Sequence, residues 1–201
     1  MVITDTMVWA HMPKAAGTAT QGMLTAVPGL VLFQAPIDSN DKHDSFWAHG
    51  EAVEGKLRAM NIRRLPSWVL SIAHHKAISG VWPDYEPMPM QTVETMVESR
   101  EPDNVLRWMT DGVPVDRWLR MESLSDDVEA LLIELGTSGS VAKSAVRAVP
   151  WTGKKYDHKV TNTFTERQIA SMYERNPDWA AAEIDAYGGL LEPAEPQATG
   201  P

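Results

Sequence analysis

The stretch Val8-Trp9-Ala10-His11-Met12-Pro13-Lys14-Ala15-Ala16-Gly17-Thr18-Ala19-Thr20 decides how the rest of the chain is read. An apolar run from Met7 to Ala10 predicts a short buried strand. Pro13 and Gly17 mark a turn, and the residues from Gln21 to Ala26 can continue as a helix. The pattern is strand, small-residue loop, helix start. The first N–H groups of a helix lack intrahelical acceptors and carry partial positive charge, so a loop of Ala, Gly and Thr lets an anionic group come close to them. Lys14 adds a full positive charge, and Thr18 and Thr20 add hydroxyl donors.

The loop lacks the common nucleoside triphosphate signature, in which two glycines precede Lys and then Ser or Thr. Here Lys14 precedes Gly17. The string His11-x-Pro13-Lys14-x-x-Gly17-Thr18 instead resembles the 5′-phosphosulfate loop of sulfotransferases of the carbohydrate type, whose members carry His-x-Pro-Lys-Thr-Gly-Gly-Thr-Ser or a close variant. Ala15 stands where that pattern has Thr, and Ala19 where it has Ser. A second stretch, Leu119-Arg120-Met121-Glu122-Ser123-Leu124-Ser125-Asp126-Asp127, resembles the late strand and helix of the same family. By pattern it is a strand ending at Met121 and an amphipathic helix from near Ser125 to Gly136, with acidic residues in its first turn.

The totals fit this picture. A chain of 201 residues with 43% hydrophobic and 22% charged residues can bury one good core. One domain over residues 1–190 is expected, with a disordered tail over 191–201 rich in Pro, Ala and Glu. A net charge of -9 argues against broad nucleic-acid binding. No stretch approaches the roughly 20 apolar residues of a membrane helix, and no basic segment followed by an apolar run opens the chain. The expected compartment is the cytoplasm. Without cysteine there is neither a disulfide nor a thiolate ligand or nucleophile. The eight Trp are read as packing residues ahead of sugar-stacking platforms.

Along the chain, Leu30 to Phe33 predicts a second buried strand, Ser45 to Met60 a helix, and Ser67 to Ala73 a central strand. Met90 to Arg100 predicts a short helix that Glu101-Pro102-Asp103 breaks. Thr137 to Thr163 reads as a basic connection. A last helix opens at Thr165 to Gln168, with Thr163 or Thr165 as its cap, and restarts at Asn176-Pro177. The expected fold is a three-layer α/β/α domain, P-loop NTPase-like, with a central parallel sheet of four or five strands and the ligand at their carboxyl ends.

The resemblance implies transfer of a sulfuryl group from 3′-phosphoadenosine 5′-phosphosulfate to a hydroxyl of a carbohydrate or other small alcohol, without a metal. Pro13, Lys14, Ala15, Ala16, Gly17, Thr18, Ala19 and Thr20 would form the donor loop. Lys14 would neutralise the bridging oxygen and the leaving phosphate. His43, after Lys42 and ahead of His49, His11 and Glu51 as candidates, would take the acceptor's proton. The family follows its central strand with Arg-x-Pro-x-x-Arg-x-x-Ser for the 3′-phosphate. Aligned on Ser79, this chain has Ser71, Ala73 and Lys76 at the preceding positions, so Lys76, Arg63, Arg64, Arg147, Lys154 and Lys155 are the candidates to supply the missing charge. His74-His75 has no third metal ligand at suitable spacing. The alternatives are a kinase using ATP and magnesium, and a nucleotide-binding member of the fold that has lost catalysis.

Overall fold

The computed structural model describes residues 1–78, 90–149 and 163–191. Ser79, Trp82 to Pro89, Lys154, Lys155 and the expected tail from residue 192 onward lie outside them. Two compact units result, one of residues 1–63 with 104–155, the other of residues 64–103 with 156–201.

The first unit is built on a five-stranded sheet ordered β3-β1-β2-β4-β5, from β1 (Val2–Ile3), β2 (Met7–Ala10), β3 (Phe33–Gln34), β4 (Leu57–Ile62) and β5 (Arg117–Arg120). Strands β2, β4 and β5 run parallel, while β1 is antiparallel to both β2 and β3. The α/β class holds, but the sheet is mixed where an all-parallel one was expected. The reason is local. The turn at residues 4–6, held by Thr4, folds β1 straight back on β2, since the Met7 amide donates to the Thr4 hydroxyl at 2.9 Å. So short a connection permits only antiparallel pairing.

Two expected elements exchange character. Residues 67–73 are not a strand but the middle of helix α2 (Leu65–Ile78), which has Pro66 in its first turn. Leu65, Trp68, Val69, Leu70 and Ala73 are all buried, so the helix lacks the polar face that would have betrayed its period. Conversely, the segment expected as a helix to Met60 is a kinked 3₁₀ stretch, Phe46–Val53, followed by β4. Gly50, at φ 51° and ψ -128°, breaks the helical path in a conformation that a side chain would strain. The buried strand expected over Leu30 to Phe33 shrinks to the exposed edge strand β3.

Helices α1 (Gly17–Thr25), α5 (Leu124–Glu134) and α6 (Gly139–Ala148) pack together on the sheet. Met7, Trp9, Met23, Leu24, Ala59, Leu119, Val128, Leu131, Ala142 and Val146 form one apolar core. Helix α6 occupies part of the basic stretch over residues 137–163, where the sequence predicts a connection. The second sequence motif has a structural explanation in Arg120 and Asp127: the Asp127 carboxylate accepts from the Arg120 amide at 2.7 Å and from its guanidinium at 2.9 and 2.7 Å, fastening β5 to α5.

In the second unit, α2 packs with α7 (Glu166–Arg175) and α8 (Pro177–Tyr187), and α3 (Met90–Glu98) packs on α7. Helix α4 (Glu101–Thr110) begins in this unit. Thr165 and Gln168 form a capping box at α7, as the expected start predicts. The fully buried Glu183 accepts from Arg64 at 2.9 Å, the Leu65 amide at 2.8 Å and the Tyr173 hydroxyl at 2.8 Å. Trp68 and Trp179 pack with ring centroids 4.9 Å apart.

A polar chain crosses the core of the first unit. Trp9 Nε1 donates to Asn61 Oδ1 at 2.7 Å, and Asn61 Nδ2 donates to Thr20 Oγ1 at 2.8 Å, all three residues being inaccessible. This chain ties β2, β4 and α1 together. Asn61→Leu strands the Trp9 N–H in the core and is expected to cost about 2 kcal/mol in urea unfolding; an unchanged midpoint would mean that the tie contributes nothing.

Candidate functional site

Strand β2 ends at Ala10, and the chain turns through Met12 to Ala16 into α1. Lys14 (φ 59°) and Ala16 (φ 66°) both adopt the left-handed conformation, which costs a non-glycine residue on the order of 1 kcal/mol. Their strain bends the loop back over the helix start. No side chain caps α1, and no acid lies in its first turn. The amides of Ala19 and Thr20 both donate to the Ala16 carbonyl, at 3.0 and 3.2 Å. Among the described residues, the N–H groups of Gly17 and Thr18 therefore have no acceptor.

Thr18 is exposed beside those donors. Thr20, read from the sequence as a second ligand hydroxyl, is instead buried, accepting from Asn61 and donating to the Ala16 carbonyl at 3.4 Å. It holds the helix to the sheet. Ala15 is buried and Pro13, Ala16 and Ala19 are half-buried, so what these residues offer is backbone and shape.

Gly17 is required by a close approach. A Cβ there would sit 1.9 Å from Cδ2 and 2.1 Å from Nε2 of His11. The His11 ring, buried under the helix start, also meets the Trp9 ring at 5.3 Å and the His43 ring edge-on at 4.7 Å. His43 Nδ1–H donates to the His11 carbonyl at 2.8 Å, since a carbonyl can only accept.

Positive charge gathers here. Arg63 follows β4, is almost completely buried, and donates from Nη1 to the Lys14 carbonyl at 3.3 Å. Lys42 lies in the 3₁₀ turn Asn40–His43 and donates from Nζ to the Ile37 carbonyl at 2.7 Å. Burial lowers the Lys14 pKa below the usual lysine range, and the charges of Arg63 and Lys42 lower it further. Burial likewise lowers that of His43; the His11 carbonyl opposes the shift, whereas Lys42, the Met1 amino group and Lys14 add to it. Nearby, Asp44 is paired with His49 Nε2 at 3.0 Å. In a chain of net charge -9, this is a local cationic basin beside helix amides that have no acceptor among the described residues. It is suited to an anion of more than one charge.

The other predicted residues lie elsewhere. Lys76 is in α2 of the second unit and pairs with Glu101. Ser71 is buried in the same helix. Arg64 pairs with Glu183 and stacks 3.9 Å over the Tyr187 ring. Arg147 is exposed near the end of α6. Sequence reading named Arg63 only as one of several compensating bases. Pro66, in the first turn of α2, marks the helix start that closes the segment after β4, but it does not single out Arg63.

His11 itself is a poor proton acceptor. Burial first, then His43, the Met1 amino group and Lys42, push its pKa down to about 3 from 6.5. Between these values the unfolded chain binds a proton that the folded chain does not, so His11 makes stability fall as pH falls from 6.5 toward 3. His11→Phe is expected to remove this contribution, on the order of 3 kcal/mol at the acid end. Urea unfolding of both proteins from pH 7 to pH 4 measures it, and parallel curves would contradict the assignment.

No protein-family model, curated protein or solved structure matches this chain.

Proposed function

We propose that the chain is a sulfotransferase that moves a sulfuryl group from 3′-phosphoadenosine 5′-phosphosulfate to a hydroxyl of a carbohydrate or other small alcohol. The observation that carries this reading is the clustering of Arg63, Lys42 and His43 around Lys14, in the loop that leads into the start of α1, which no side chain caps. The sequence resemblance at His11-x-Pro13-Lys14-x-x-Gly17-Thr18 specifies which anion the basin serves. The same reading implies a P-loop-like three-layer arrangement, a small-molecule or glycan acceptor, and a cytoplasmic setting.

On this reading the N–H groups of Gly17 and Thr18 hold the 5′-phosphate, with the Thr18 hydroxyl next to them. His43, whose Nδ1 keeps its proton on the His11 carbonyl, offers the lone pair of Nε2 to the acceptor hydroxyl. As that proton leaves, the acceptor oxygen bonds to sulfur and the bond from sulfur to the bridging phosphate oxygen breaks. Lys14 balances the charge that collects on the departing phosphate. Transfer of a charged group through a loose transition state is helped chiefly by such preorganised charge. Lowered pKa values serve both groups, keeping His43 unprotonated near neutral pH and Lys14 weakly solvated.

On this reading the 3′-phosphate pattern would follow β4. The strand that precedes α2 is β4, so Arg64-Leu65-Pro66 stands where the family has Arg-x-Pro, and Ser71 stands one residue short of its Ser. The alignment on Ser79 needs a strand over residues 67–73, which α2 occupies. Val69 occupies the second Arg position of the pattern.

A second reading, a nucleotide-binding protein without turnover, is favoured by one observation: Ala15 and Ala19 stand where the family has hydroxyls. Calorimetry separates the readings. Binding of 3′-phosphoadenosine 5′-phosphate without binding of ATP and magnesium supports the sulfotransferase fold of the site, and turnover of the sulfated donor decides between the two. Lys14→Ala is expected to weaken that binding roughly tenfold or more and to abolish turnover while leaving the circular dichroism spectrum intact. Wild-type turnover in this variant would overturn the assignment.

A further inference from the structure

The side chain of His11 has no role in the transfer as written, yet it is the most constrained ring at the site. It is 5% exposed, and its Nδ1 is buried with no hydrogen-bond partner among the described residues. Three neighbours define its position. Its Cδ2–Nε2 edge fills the space that a Cβ on Gly17 would need. The His43 ring stands edge-on to it at 4.7 Å, and the Trp9 ring lies at 5.3 Å. Its carbonyl receives the His43 Nδ1–H.

The groups facing it are the cationic or titrating His43, Lys42 and the Met1 amino group, so a proton on His11 would add charge to a basin already positive. Taking up a proton is therefore unfavourable at this ring, and an uncharged wedge is what the position tolerates. The same wedge touches both halves of the site, the helix start and the base.

We propose that His11 is a positioning residue: its neutral ring sets the distance between the start of α1 and the His43 ring, and with its own carbonyl it holds His43 as the Nδ1–H tautomer with Nε2 unprotonated. Glycine at position 17 is a consequence of this ring. The inference rests on the sulfuryl-transfer reading only for the identity of the proton that Nε2 receives.

A double-mutant cycle and a spectroscopic readout test it on the free protein. Gly17→Ala alone is expected to lower the thermal midpoint, because its methyl group meets the His11 ring. In a His11→Ala background the same change is expected to cost nothing further, a coupling characteristic of side chains in direct contact. Long-range ¹H–¹⁵N spectra at neutral pH are expected to show His43 protonated at Nδ1 in the wild type. In His11→Ala the His43 signals drift toward the tautomer mixture of a mobile imidazole, and His11→Phe, which keeps an aromatic wedge, restores them. Binding of 3′-phosphoadenosine 5′-phosphate is expected to weaken roughly tenfold in His11→Ala and to recover largely in His11→Phe.

An additive cycle, or an unchanged His43 tautomer in His11→Ala, overturns the proposal. So does a His11→Phe variant that keeps the tautomer but loses the nucleotide, since His11 would then touch the ligand itself. A wild type that shows the coupling and the tautomer but binds no nucleotide supports the positioning role and overturns the sulfuryl-transfer reading.

Discussion

The buried chain from Trp9 through Asn61 to Thr20 is the constraint on which the site depends. Polar groups enter a core only when their partners are fixed, and here each partner belongs to a different element: β2, β4 and α1. With these three locked in register, the loop between β2 and α1 has few ways to close. The left-handed Lys14 and Ala16 are the conformations that closure demands, and the packed sheet beneath them bears their strain. The same register sets the end of β4 beside the loop, which is how Arg63 reaches the Lys14 carbonyl.

Electrostatics then explains why so unfavourable a cluster persists. Three cations and a histidine share one partly buried neighbourhood, and the pKa values of Lys14 and His43 are lowered first by burial and then by the neighbouring charges. Repulsion of this kind is relieved when a multiply charged anion binds, and the relief appears as affinity. The remaining helix amides add directional donors that a flexible lysine cannot match. Gly17 and Ala15 are buried, the first against the His11 ring, and among the small residues that open α1 it is Thr18 that is exposed.

How much of this the sequence discloses depends on the range of the forces involved. The loop was legible because Pro13, Lys14 and Gly17 act locally, as were α5 with Gly136 behind it and α7 with its Thr165 and Gln168 cap. Strand β4 was not, because Ala59, Met60 and Asn61 are poor strand formers held in place by ladders on both sides. Helix α2 was hidden for the opposite reason, since burial around most of its surface removes the helical period. In the candidate site, residue type and order point to Lys14 and His43, which the fold brings near one another. Arg63, 49 residues from Lys14, is placed by sheet register, and Thr20 is turned inward by a partner 41 residues away. Neither fact has a local signature.

The structure of the protein bound to 3′-phosphoadenosine 5′-phosphate tests the central claim most directly. The account predicts the 5′-phosphate on the N–H groups of Gly17 and Thr18, with Lys14 Nζ beside it and His43 Nε2 facing the open side where a sulfuryl group would sit. A nucleotide bound elsewhere on the chain, with those two amides untouched, would contradict it.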